Sequence, residues 1–141
     1  MFLFLDRSPN NVIHHNYIIE SSKTDTIYQY RANASWYGPG FHGRKTASGE
    51  IYNQNKLTAA SVILPLGSIV KITNLNNQKS IKVRINDRGP YSYKVVDKSV
   101  IPTYPLKPHP SRVIDLSRAA MDSLGGISSG IIPISYTTDI Y

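Results

Sequence analysis

A chain of 141 residues, 40% of them hydrophobic, is long enough for one domain with an ordinary core and too apolar overall for a disordered composition. It has no cysteine, which excludes disulfides, thiolate metal sites, a cysteine nucleophile and a lipidated N-terminal cysteine in these residues. Its 16 basic and 9 acidic residues give a formal net charge of +7, which favours anionic partners, although the cations are scattered rather than blocked as in a disordered nucleic-acid arm.

Residues 1–31 read as a loose, poorly ordered N-terminal extension with room for one short strand. Its opening run MFLFL meets Asp6-Arg7 at once and has no basic start or cleavage site, so it does not read as a signal peptide. No apolar run approaches the roughly 20 residues of a transmembrane helix. His14-His15 has no third ligand in view, and no metal is expected there. From Ala32 to Tyr141 the chain reads as many short β-elements. ASWYG is a strand ended by Gly38-Pro39-Gly40. FHGRKTASGEIYNQNK is a polar loop, and LTAAS is a short strand. SIVKITNL and SIKVRIND alternate like two strands, with NNQK as the turn between them. The stretch 91–111, with four prolines, reads as an exposed, partly extended excursion. RVIDL is strand-like. SRAAMDSLGG is a helix, with Ser117 as N-cap and Gly125-Gly126 as its end. The closing segment is β-rich, and Pro133 implies an edge or a bulge there. Many short strands with one small helix favour a β-barrel over a bundle or a doubly wound sheet.

Three blocks, in order and spacing, resemble the RlpA-like proteins (rare lipoprotein A and its relatives): ASWYGPGFHGRKTASGEIYN, LTAASVILPLGSIVKITNLNNQKSIKVRINDRGP and RVIDLSRAAMDSLG. The resemblance covers roughly Ala32 to Thr138. It implies an all-β fold, a six-stranded double-psi β-barrel with one or two short helices, shared more distantly with expansins. It also implies an endolytic lytic transglycosylase that cuts MurNAc–GlcNAc β-1,4 bonds of peptidoglycan, with a preference for peptide-free glycan strands, and a place in the cell envelope, in the periplasm or at the outer membrane. Glycan strands are then the expected partner, with no nucleic acid, no cofactor, no metal and a monomeric state.

Such chemistry needs a proton delivered to the leaving oxygen, which a carboxylic acid in a cleft does well. Read locally, Asp87 in VRINDRGP starts a turn through Gly89-Pro90. The resemblance makes it the catalytic acid and base instead. Glu50 is the second carboxylate, as catalytic candidate or solvated loop residue. Where the family usually has a histidine, this chain has Ser61, which can donate a hydrogen bond but cannot shuttle a proton near neutral pH. That departure keeps a second reading open, a non-catalytic, expansin-like glycan-binding barrel. A basic nucleic-acid-binding barrel rests on charge alone and ranks third. For substrate, Tyr37, Tyr52 and Tyr91 are stacking candidates beside Trp36. His42 is a ring or hydrogen-bonding candidate. Arg88 is placed to hold a sugar carboxylate or to orient Asp87. Arg44, Lys45, Arg84, Arg88 and Arg112 together make a candidate basic groove. Asp115 in IDLS matches the family and reads as structural, accepting backbone hydrogen bonds near the following helix.

Overall fold

Alternating strands dominate the computed structural model, which describes residues 16–21, 26–38, 40–102 and 105–138. They are β1 (Asn16–Ser21), β2 (Thr26–Trp36), β3 (Thr58–Ser61), β4 (Ile69–Asn74), β5 (Ser80–Asp87), β6 (Tyr93–Val96), β7 (Ser99–Pro102), β8 (Arg112–Leu116) and β9 (Ile131–Thr138). Among the described residues there is one helix, α1 (Arg118–Ser123). The β-strands follow from the sequence period: in β4, Val70, Ile72 and Asn74 are buried while Ile69 and Lys71 are exposed.

Six strands close into a barrel in the order β2-β8-β3-β5-β4-β9, because β9 pairs back onto β2. β2 with β8 and β3 with β5 run parallel, and the other barrel neighbours are antiparallel. Closure leaves the barrel no free edge. Its interior holds Val70, Ile72, Val83, Ile85, Ile114, Leu116, Ile132 and Ile134, each at most 1% exposed. Each such side chain contributes about 1.5–3 kcal/mol by leaving water.

The helix plugs one end. Ser117 caps it, its Oγ accepting the Ala120 N–H at 3.2 Å and donating to the Lys56 carbonyl at 2.6 Å. Ala120, Met121 and Leu124 join the core. The Leu124 carbonyl accepts from Asn74 and Asn77 of the β4–β5 hairpin, at 2.8 and 2.9 Å. Gly126 follows, and a Cβ there would lie 2.5 Å from Met121 Sδ, so the close packing of helix end against β9 requires glycine.

Three features differ from the sequence reading. The first barrel strand crosses Ala32: Gln29, Tyr30 and Arg31 already pair with β9, and Tyr30 stacks on Tyr136 with ring centroids 5.2 Å apart. The aromatic pair extends a strand whose start looked like loose polar sequence. Pro133 lies on a strand with neighbours on both sides rather than on an edge or at a bulge. It is tolerated because β4 ends at Asn74, opposite Ile134, and beyond that point Pro133 takes part through its carbonyl, which accepts the Leu75 N–H at 2.9 Å. The 91–111 excursion contains a hairpin of β6 and β7, turned by Asp97 and Lys98 at φ 48° and 64°. His14-His15 lies outside the described residues.

Candidate active site

Strict alternation along β5 would place Asp87 on the same side as Val83 and Ile85, in the core. A bulge prevents this. Ala59 pairs with Ile85, but Ala60 pairs with Asp87, so Asn86 is the extra residue. Ala60 faces away from the barrel interior, packed with Tyr37 and Tyr52 in a small second cluster. Asp87 is thereby re-aimed onto that outer face. The bulge also frees the Asn86 carbonyl, which accepts the Ser48 N–H at 3.1 Å.

Ser48 belongs to a tight hairpin that covers the face. The Gly43 N–H donates to the Tyr52 carbonyl and the Tyr52 N–H to the Arg44 carbonyl, and the Thr46–Gly49 turn closes with Gly49 at φ 89°. The turn carries the Ala47 N–H to Asp87 Oδ1 at 2.9 Å. The Arg88 N–H reaches the same oxygen at 2.8 Å. The Tyr37 hydroxyl donates to Oδ2 at 2.9 Å. Two fixed backbone donors occupy Oδ1, so a proton on this half-buried carboxyl belongs on Oδ2. There the Tyr37 hydroxyl can turn and accept. Burial, then the neighbouring Asp87 charge, pushes the Tyr37 phenol far above its ordinary range, so it remains a phenol at every working pH.

Tyr37 and Tyr52 do not serve as sugar platforms. They are 8% and 3% exposed and pack edge to face with centroids 4.6 Å apart, because the loop folds over them. The Tyr52 hydroxyl accepts the Arg118 N–H at 3.3 Å. Phe41, which the sequence reading passed over, is 47% exposed and stacks on Tyr37 at 5.6 Å. The Arg44 guanidinium lies 5.5 Å from the centroid of the Phe41 ring. Tyr91 is half-buried beside Pro108, and Trp36 packs against the core. His42 is exposed, with Nδ1 accepting the Gln54 N–H at 3.1 Å.

Glu50 and Ser61 are not joined to Asp87 by any hydrogen bond among the described residues. Both Glu50 oxygens are taken by Arg84 in a fork at 2.7 and 2.8 Å, and this partner holds its carboxyl below the usual range. A catalytic role for Glu50 is hard to reconcile with that pairing, since protonation would break the fork. Ser61 is fully buried, and its Oγ accepts the N–H of Ile63 and Leu64, at 3.2 and 3.0 Å. It forms its own turn rather than serving Asp87.

Arg88 is turned away from the carboxylate it follows. Its Nη1 donates to the carbonyls of Ser61 and Leu64, at 2.8 and 2.6 Å, clamping the turn after β3. The next residue, Gly89, has φ 132°, a backbone closed to residues with a Cβ. We expect Arg88→Ala to cost about 2–3 kcal/mol, because two carbonyls lose a charged donor. The urea midpoint of unfolding measures it. Of the proposed basic groove, Arg84, Arg88 and Arg112 thus have partners within the fold, Arg112 donating to Ser35 Oγ at 3.0 Å, while Arg44 and Lys45 stand exposed on the hairpin.

Asp115 was read as structural, with backbone partners. Its partner is instead a side chain, the Ser35 hydroxyl, which donates to Oδ1 at 3.0 Å. Burial raises its pKa to about 6, against the lowering effects of Ser35 and Arg112 and with a further rise from the Asp87 charge. The family match of IDLS marks Asp115 in the sequence, but its level with Ser35, Ala60 and Asp87 depends on register between β2, β8, β3 and β5.

Among the described residues, no group of three or more His, Cys, Asp or Glu is placed to hold a metal ion. No helix there is long and apolar enough to cross a membrane.

A family model described as "DPBB_1: Lytic transglycolase" matches residues 29–136. The chain is 48% identical over 101 residues to an endolytic peptidoglycan transglycosylase RlpA of Campylobacter jejuni, covering 72% of this chain and 30% of that protein. It is 52% identical over 98 residues to a probable endolytic peptidoglycan transglycosylase RlpA of a Synechocystis species, covering 70% and 25%. To the RlpA of Pasteurella multocida it is 46% identical over 116 residues, covering 82% and 34%. The chain thus spans about a quarter to a third of the length of these relatives. Among solved structures, a Streptomyces papain inhibitor superposes with TM-score 0.55 at 17% identity, covering 79% of this chain and 94% of that one. A Clavibacter michiganensis expansin superposes with TM-score 0.52 at 22% identity, covering 79% and 50%. These two likenesses bear on the fold alone. With a family model spanning most of the barrel and the closed six-stranded topology that goes with it, the chain belongs to the lytic transglycolase family of double-psi β-barrels.

Proposed function

We propose that this barrel is an endolytic peptidoglycan transglycosylase that cuts MurNAc–GlcNAc β-1,4 bonds in peptide-free glycan strands, with Asp87 as its general acid and base. The observation that supports this most is Asp87 itself. A bulge turns it out of the core, two backbone N–H groups fix one oxygen, and a buried phenol holds the other. That is a carboxyl held in one orientation with Oδ2 left to exchange a proton.

In this reading Asp87 gives its proton to the glycosidic oxygen as the bond to C1 of MurNAc breaks. The leaving GlcNAc departs with a free hydroxyl. The C6 hydroxyl of the same MurNAc attacks C1, and Asp87 takes the proton that it loses. One carboxyl closes the cycle, and no water is consumed. This accommodates a Glu50 bound to Arg84 and a Ser61 bound into its turn. Exposed Phe41 offers an apolar ring to a sugar face, and Arg44 and Lys45 offer cations to the lactyl carboxylates of muramic acid. The substrate places the work in the cell envelope.

Tyr37→Phe removes one of the three donors to Asp87 and leaves the ring packing intact. We expect the cutting rate to fall about 10- to 100-fold, the worth of one charge-assisted hydrogen bond. Initial rates on purified strands measure this.

The second reading, a glycan-binding barrel without catalysis, retains some support from the expansin-like fold. Incubating purified peptide-free strands with the protein separates the two. Shortened strands support the enzyme. Strands that are bound but keep their length support the binding module.

A further inference from the structure

Asp115 lies in the same sheet row as Asp87. Ser35 pairs with Asp115, Asp115 with Ala60, and Ala60 with Asp87. Both register shifts, at Val113 and at Asn86, are needed to bring these four residues level. Residues level across a sheet point to one face, so both carboxyls lie on the face that Tyr37 and Tyr52 cover. The Cα atoms are two strand spacings apart, about 10 Å, with both side chains on one side.

We propose that Asp115 is the second carboxyl of the site, a positioning residue that acts on Asp87 through charge, so that the pair carries one proton between them during the reaction. The inference rests on the catalytic reading of Asp87. It deepens it by naming what Asp87 works against. When Asp87 releases its proton to the leaving oxygen, a negative charge appears on this face. With Asp115 neutral, that charge stands alone. With Asp115 ionised, two anions share a face that aromatic rings partly cover.

The groups that face Asp115 set its behaviour. Ser35 on β2 donates a hydrogen bond, and Arg112 on its own strand donates to Ser35. Asp87 on β5 and the phenols of Tyr37 and Tyr52 on the covering loop complete the surround, while Ala60 on β3 adds no charge. Burial pushes the Asp115 carboxyl up to about 6, so it changes charge near neutral pH.

Carbon-13 NMR of the aspartate carboxyls across pH tests this without relying on catalysis. In the parent protein the Asp115 midpoint is expected near 6. Asp87→Asn removes the facing charge and lowers that midpoint. Ser35→Ala removes the donor to Oδ1 and raises it. Opposite shifts from the two variants support the pairing. An Asp115 midpoint that Asp87→Asn leaves in place overturns it. The pH–rate profile on peptide-free glycan is the second readout. The parent shows a limb near pH 6 that is missing from Asp115→Asn. Equal profiles for parent and Asp115→Asn overturn the role even where the midpoints move. A parent that cuts no glycan at any pH defeats the catalytic reading instead. The pairing of the two carboxyls is then still decided by the NMR midpoints.

Discussion

Asp87→Asn is expected to fold like the parent and to cut peptide-free glycan about 10²- to 10⁴-fold more slowly, the usual contribution of a positioned acid–base group. The two halves of that expectation come from the same geometry. An asparagine side-chain oxygen can accept the Ala47 and Arg88 N–H groups as Oδ1 does now, and its amide nitrogen can donate to the Tyr37 hydroxyl. The thermal midpoint should therefore move little. What is lost is the exchangeable proton on Oδ2. Glycan length after timed digestion measures the first half, and a thermal melt the second. A variant that cuts at the parent rate would remove Asp87 from the chemistry. A variant that unfolds would make the residue structural.

The second large effect is on stability, and it belongs to Asp115. Its carboxyl is raised from the ordinary aspartate range to about 6, first by burial. A group whose folded pKa is raised stabilises the fold at low pH, where both states are protonated or the folded state holds the extra proton. That contribution is lost as pH rises through the folded value. A shift of about 2 units corresponds to about 3 kcal/mol. The parent should accordingly lose up to about 3 kcal/mol from this group between about pH 4 and pH 8. Asp115→Asn lacks the group and lacks this slope. It should be the more stable protein at alkaline pH and converge with the parent in acid. Urea midpoints at a series of pH values measure the difference. Equal slopes would mean that Asp115 titrates alike in the folded and unfolded chains. An aspartate that destabilises the neutral fold is the kind of residue that a site retains for its charge.

Much of the barrel was legible because its signals are local. The period of SIVKITNL and SIKVRIND marks the β4–β5 hairpin, and Ser117 and Gly125-Gly126 mark the two ends of α1. Asp87 was legible only through family resemblance, since its neighbours Arg88-Gly89-Pro90 describe a turn equally well. The features that make it a site are long-range. Tyr37 meets it from 50 residues away, and the bulge at Asn86 exists only relative to β3. A single strand read by itself has no register, so nothing in RIND shows which face Asp87 takes. The aromatic residues misled for a related reason. Tyr37 ends a strand and Tyr52 lies in a polar loop, yet both pack on Ala60 and are buried. Ser61 looked like a lost catalytic histidine. Its surroundings make it the residue that shapes the turn Arg88 clamps.

The most direct test of lytic transglycosylation by one carboxyl is mass spectrometry of the new glycan ends after digestion in oxygen-18 water. Attack by the C6 hydroxyl consumes no water, so 1,6-anhydro-MurNAc ends without label are expected, and none from Asp87→Asn. Labelled reducing ends would mean hydrolysis by an activated water and would contradict attack by the C6 hydroxyl.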